Sequence, residues 1–210
     1  MDTFDAIYGR RSIKHYEPTH ELTDDEISKL MEAALQSPTS FNIQHWRFVL
    51  VRDKQVREQL KGAAYNQAQV ADASLLIVLT ADMEAHGKEP HRYYRNSPPE
   101  IGQRMVRMLF GLYDKKPQLQ RDEAMRSMGI AAQTIMLAAK AMGYDSGALV
   151  GYDADKVAQI INLPEDHVLG MMIVIGKGIK PAFEKPGQLS LEDVVVHDRF
   201  PDASAESGND

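Results

Sequence analysis

Arg10, Arg11, Ser12 and Lys14 place two guanidiniums, a hydroxyl and an ammonium within five residues. Such a set can hold a phosphate through charge-assisted hydrogen bonds. Short basic runs are also ordinary solvated surface, and taken alone this one reads that way. A second set lies between Pro38 and Gln44, where Thr39, Ser40, Asn42 and Gln44 mix donors with acceptors. A flat heterocycle with an amide-like edge needs that mixture. A helix-stopping loop that satisfies its own backbone has the same composition. The third set is Tyr65-Asn66-Gln67-Ala68-Gln69, whose amides serve a ligand or merely cap. The fourth is Gly176-Lys177-Gly178 with Lys180 and Lys185. Its glycines let a backbone approach a ligand, although one GxG is weak evidence.

Other chemistries are missing from the sequence. The 210 residues include no cysteine, so thiolate nucleophiles, disulfides and Cys-held metals are excluded. The seven histidines show no HExxH or similar spacing, and His86 and His91 read as solvated, so no metal ligand is assigned. No GxSxG elbow and no helix-opening GxGxxG is present, which disfavours a serine hydrolase and a Rossmann domain. A net charge of −6 argues against nucleic-acid binding, because phosphate contacts need a basic face. No apolar run nears the roughly 18 residues of a membrane span, and the first residues lack a signal-type apolar region. The expected location is cytoplasmic.

The elements that must position these residues follow from capping and periodicity. A first helix is expected from about Phe4 to Tyr8, capped by Asp2 or Thr3 and stopped by Gly9. Thr23 to Glu26 reads as a capping box before a helix burying Ile27, Leu30, Met31, Ala34 and Leu35. Trp46–Val51 alternates as a strand, Asp53 caps a helix through Leu60, and Leu75–Leu79 is a strand covered on both faces. Residues 81–127 differ in composition and read as a helical insertion. Its helix starts at Ser97-Pro98-Pro99-Glu100 and carries a stripe of Ile101, Met105, Met108 and Leu112. Met128–Met142 is apolar or small on nearly every side, as in a core or a subunit interface, and ends at Gly143. Ala148–Val150 and Val168–Ile175 are expected strands, Asp153 a further cap, and Val194–His197 a last strand-like segment. This order implies one α+β domain over 1–200, with helices packed on a central sheet and a disordered polar tail at 201–210.

RRSIKHYEP, SPTSFNIQHWRF, YNQAQVADAS, GIAAQTIMLAAKAMGYDSGALVGYD and IGKGIKPAFEKPGQLSLEDVVV, in that order, resemble the nitroreductase family over nearly the whole chain. The resemblance implies a nitroreductase-like sandwich, with a central, mostly antiparallel sheet flanked by helices. It further implies an intertwined homodimer with FMN at the dimer interface. Matched by position, Arg10, Arg11, Ser12 and Lys14 correspond to the segment that contacts FMN phosphate and pyrimidine. Pro38, Thr39, Ser40 and Asn42 correspond to a loop reaching the flavin from the other subunit. Asn66 and Gln69 match positions beside the ring's polar edge and ribityl chain, and some relatives carry lysine at the latter. Val150 and Gly151 match backbone near flavin N5, and Lys177 and Lys185 match basic positions near the phosphate. His45 stands where relatives often have proline. The implied activity moves electrons from NAD(P)H to nitroaromatics, quinones or similar small acceptors by a ping-pong mechanism, with no side chain assigned as catalytic. The same site could instead serve an enone, an aldehyde, a halogenated aromatic or flavin itself, or store flavin without turnover.

Overall fold

The computed structural model describes residues 1–200, so the tail at 201–210 lies outside the described residues. Four strands form one sheet in the order β1-β2-β4-β3, with β1 Trp46–Val51, β2 Leu75–Asp82, β3 Asp145–Leu149 and β4 His167–Gly176. Every pairing is antiparallel. Residues alternate across a strand, so β2 sends Leu75, Ile77 and Leu79 to one face and Leu76 and Val78 to the other. Both sets are buried because helices cover both faces. Helices α2 (Asp24–Ala34) and α6 (Pro117–Ala141) cover the first. On the second, α3 (Lys54–Ala63), α7 (Ala154–Ile160) and the N-terminal Ile13 and Tyr16 pack over the sheet. The result is an α+β sandwich.

Caps fix where the helices begin. Asp2 caps α1 (Thr3–Gly9) and Thr23 caps α2, each in a two-way capping box. Asp53 and Asp153 accept backbone N–H bonds at the starts of α3 and α7. Helix α5 (Pro99–Tyr113) opens on proline, which needs no N–H partner there, although Ser97 forms no cap.

Four sequence expectations need correction. The helix expected from Met128 begins at Pro117 and runs 25 residues, so residue 127 is no boundary. Its first turns are polar outside but bury Glu123 and Ala124, a one-sided pattern hidden beside the apolar stretch that follows. The apolar character of that stretch requires no partner chain, because Ala132 and Ile135 are already buried against this chain's own sheet and α2. On α5 the buried stripe is Gly102, Val106, Leu109 and Tyr113, one residue beyond the expected one. Ile101, Met108 and Leu112 face outward. Val194–His197 does not form a strand. A Ser190–Asp193 capping box instead starts a short helix, α8 (Leu191–Val194). Among the described residues no helix is long and apolar enough to cross a membrane.

Candidate functional site

Residues 10–16 run extended along the edge of the sheet. The Ile13 N–H donates to the Ser146 carbonyl at 3.1 Å, and Ile179 N–H to that of His15 at 3.0 Å. Ile13 and Tyr16 point into the core, which leaves Ser12 and Lys14 outside. This close docking needs glycine at 147: a Cβ there would stand 3.0 Å from the Ile13 carbonyl oxygen. Burial, and next to it Asp145, pushes the Tyr16 phenol pKa up, so its hydroxyl stays protonated and neutral.

Two loops converge on the exposed side of this segment. After α3 the chain passes through left-handed Tyr65 and Asn66, with φ of 55° and 56°, then enters α4 (Gln69–Asp72). Left-handed backbone is costly for a residue as bulky as tyrosine, and strain of this kind collects at functional sites. The turn brings the Gln67 amide to the corner between β3 and α7, where its Nε2 donates to the Gly151 carbonyl at 2.9 Å. Gln69 Nε2 donates to Gln67 Oε1 at 3.0 Å. The corner is pinned separately by the Asp153 N–H on the Ala63 carbonyl at 2.9 Å. Val150, one residue past β3, is 73% exposed, an apolar side chain left in solvent.

Ser12, Lys14, Gln67, Gln69, Val150 and Gly151 line one opening of about 210 Å³. The structure does not bring all the sequence candidates to it. Arg11 lines a neighbouring opening of about 380 Å³ with Lys140, Asp145 and residues 178–182. Its guanidinium donates to the Phe183 carbonyl. Neighbours in an extended segment face opposite sides, so Arg11 parts from Ser12 and Lys14, and Arg10 lines neither opening. Asn66 is exposed and does not line the 210 Å³ opening. Lys177 and Lys185 are exposed on the segment after β4, and the Lys14 ammonium lies 5.6 Å from the Phe183 ring centre.

The loop from Pro38 stands elsewhere. Phe41, Asn42 and Gln44 adopt φ of 52°, 54° and 53°. Residues 93–113 hold this turn. Tyr113 Oη donates to Ser40 Oγ at 2.7 Å and Tyr94 Oη to the Phe41 carbonyl at 2.7 Å. Asn42 Nδ2 donates to the Tyr93 carbonyl at 2.9 Å, while Thr39 Oγ1 accepts from the Gln44 N–H at 3.0 Å. Asn42 and Gln44 line a groove of about 810 Å³ with Met31, Leu35, Trp46 and Phe48. Pro38, Thr39, Ser40 and Asn42 are all absent from the opening lined by Ser12 and Gln69. Beneath the loop, burial pushes the His45 imidazole down to about 4.

One cluster has the composition of a metal site: Asp82, Asp166 and His167. Lys88 already bridges it, 2.9 Å from Asp82 and 2.5 Å from Asp166. The hydrogen bonds from Lys88 and then His167 hold Asp166 at about 2. This cluster ties the loop after β2 to the start of β4 and is filled by the Lys88 ammonium.

The sequence placed Gln67 in the third candidate set without a role of its own, and it gave no sign of Tyr94 and Tyr113. Gln67 has a legible signal, its i, i+2 spacing to Gln69 just after a turn. The tyrosines lie 53 to 73 residues from their partners, a separation no local pattern reveals.

The chain matches the model of the Nitroreductase family over residues 7–177. It is 53% identical to the protein DrgA of Synechocystis over 196 residues, covering 91% of this chain and 93% of that one. It is 30% identical to YodC of Bacillus subtilis, described as a candidate NAD(P)H nitroreductase, over 87% of this chain and 93% of that one. Among solved structures, a candidate nitroreductase of Exiguobacterium sibiricum in complex with FMN superposes with a TM-score of 0.86. It has 28% identity and covers 93% of this chain and 97% of that chain.

Proposed function

Because the chain belongs to the nitroreductase family, we propose that it is an FMN-dependent oxidoreductase that passes electrons from NAD(P)H to small acceptors such as nitroaromatics or quinones. The observation that carries this reading is the meeting of three separate segments at one opening. They supply an ammonium, a hydroxyl, two carboxamides and bare backbone at 149–151. That donor set fits a flavin, whose flat apolar ring has a polar imide edge and whose tail ends in an anion. Bound FMN would supply the two-electron redox chemistry. The chain's own residues bind and orient it. Lys14 and Ser12 face its polar parts, Gln67 and Gln69 hold an amide edge in place, and the exposed Val150 gives the ring an apolar neighbour. Arg10, at the C-terminal end of α1 and outside the lining of this opening, and the basic Lys177 and Lys185 supply positive charge for the phosphate. No side-chain nucleophile is required.

The working form is a homodimer, with Pro38, Thr39, Ser40 and Asn42 of one chain completing the opening of the other. Two features support this. Among the described residues strand β1 pairs on one side only, leaving an open edge. Leu189, Leu191, Val194, Val195, Val196 and Phe200 are all exposed along one C-terminal segment. Surface of that kind marks an interface, and a stable obligate one buries above roughly 2,000 Å² in total.

Purified protein should be yellow and release about one FMN per chain on denaturation. An anaerobic acceptor panel with NADH and NADPH should give parallel double-reciprocal plots, since one small opening must admit donor and acceptor in turn. Colourless protein that cannot be reconstituted with FMN overturns the reading. NAD(P)H oxidation that no acceptor stimulates would make it a flavin store.

A further inference from the structure

We propose that Gln67 is a positioning residue: it fixes the hydrogen-bonding direction of Gln69 at the opening, so that the site selects a ring edge carrying an N–H donor. The inference rests on the FMN reading and adds a residue and a selection rule to it.

A carboxamide has one donating end and one accepting end, and either can face a given neighbour until something breaks the tie. Here the tie is broken by a backbone carbonyl, which only accepts. Gly151 offers its oxygen to Gln67 at 2.9 Å, so Gln67 must turn its NH₂ there. The reverse orientation would set two oxygens against each other. Gln67 Oε1 is thereby left to accept from Gln69 Nε2 at 3.0 Å. Gln69 is in turn fixed with its NH₂ toward Gln67, and its own Oε1 has no partner among the described residues. The chain of amides therefore starts at a carbonyl and ends on an uncommitted acceptor.

Both ends of the relay are held independently of it. The Asp153 N–H bond to the Ala63 carbonyl and the Tyr152 N–H bond to the Val150 carbonyl, at 3.2 Å, fix the peptide of Gly151. At the other end, left-handed Tyr65 and Asn66 set where Gln67 emerges. Gln69 is 7% exposed, so water cannot freely satisfy it in the other orientation. A buried amide whose acceptor is committed to the ligand side penalises a ligand without a matching donor, because the acceptor is then left unpaired.

The test is titration of apo-protein with FMN and with 3-methyl-FMN, whose imide N–H is replaced by a methyl group. Wild type should favour FMN by about ten-fold or more. Gln67→Met keeps the length but neither bonds Gly151 nor orients Gln69. It should shrink that preference several-fold while still binding FMN. Gln69→Met should shrink it as far, and the double variant no further, since coupled residues are not additive. Gln67 is partly exposed, and thermal melting of the apo-protein checks that each variant folds. A preference that survives unchanged in a folded Gln67→Met variant, or that wild type never shows, overturns the inference and leaves the FMN reading standing. Wild type that binds neither flavin overturns the FMN reading itself.

Discussion

The opening around Ser12 and Gln69 and the loop from Pro38 to Gln44 are both rich in short polar side chains, but they are held in different ways. The first is laid out by backbone. Residues 10–16 bond to β3, the corner at Gly151 is tied to α3, and a glycine permits the contact. The second is held mostly by side-chain hydrogen bonds to residues 93–113, with Tyr113 and Tyr94 donating to the loop and Asn42 of the loop donating to the Tyr93 carbonyl. The first gathers its three segments from one chain. The second ends on an open groove of mixed polar and apolar lining, beside a strand edge that is unpaired among the described residues. A backbone-built half-site should fail abruptly when its packing is disturbed, whereas a side-chain-built one should weaken in steps.

The largest expected effect is at Gly147. Gly147→Val drives a side chain into the Ile13 carbonyl, which is backbone and cannot swing aside. Overpacking of this kind costs roughly 1–3 kcal/mol, and FMN binding should be lost with it. Denaturant unfolding and flavin content check both. Next comes the split within the basic cluster. Arg10→Ala should weaken FMN by about ten- to a hundred-fold, the usual cost of losing a charge-assisted phosphate contact. Arg11→Ala should leave affinity nearly unchanged and instead speed proteolysis of the C-terminal segment, which Arg11 holds through Phe183. Equal losses of flavin would rejoin the two arginines into one site.

The pH dependence of stability probes the second region. His45 has its folded pKa pushed down to about 4 from 6.5 by burial. The unfolded chain therefore takes up this proton first. The contribution is intact above about pH 6.5 and is lost as pH falls toward about 4. Stability should drop by about 2 kcal/mol between about pH 7 and about pH 5, and His45→Leu should flatten that slope. A slope unchanged by the substitution assigns it to other groups. The smallest effect is at Tyr113. Tyr113→Phe removes one hydrogen bond to Ser40, worth about 1 kcal/mol. FMN affinity should fall only a few-fold, a step and no collapse, measured by the same titration.

What was legible in the sequence follows the same division. The strands at Trp46, Leu75 and Val168 were readable because apolar runs mark buried strands, and the caps at Thr23, Asp53 and Asp153 because capping is local chemistry. The two stripes of α5 are both apolar, so periodicity could not choose between them, and contact of Leu109 and Tyr113 with Ile43 and Tyr93 decided it. Val194–His197 is rich in valine, yet the box at Ser190 sets its start as helix. The candidate residues at 12, 14, 69, 150 and 151 meet in space. Arg11 leaves them because alternation in an extended segment is invisible until the segment is known to be extended. Gln67 was legible as a candidate amide, but its part was not, because that depends on which way an amide turns.

The most direct measurement is a subunit-complementation test of the two half-sites. One tagged chain carries Ser12→Ala with Lys14→Ala, a second carries Ser40→Ala with Asn42→Ala, and the mixed dimer is isolated after co-expression. Each homodimer should bind FMN poorly. In the mixed dimer both defects fall on one site and the other site is intact, so about one tightly bound FMN per dimer is expected. A mixed dimer as depleted as its parents would show that each flavin is held within a single chain.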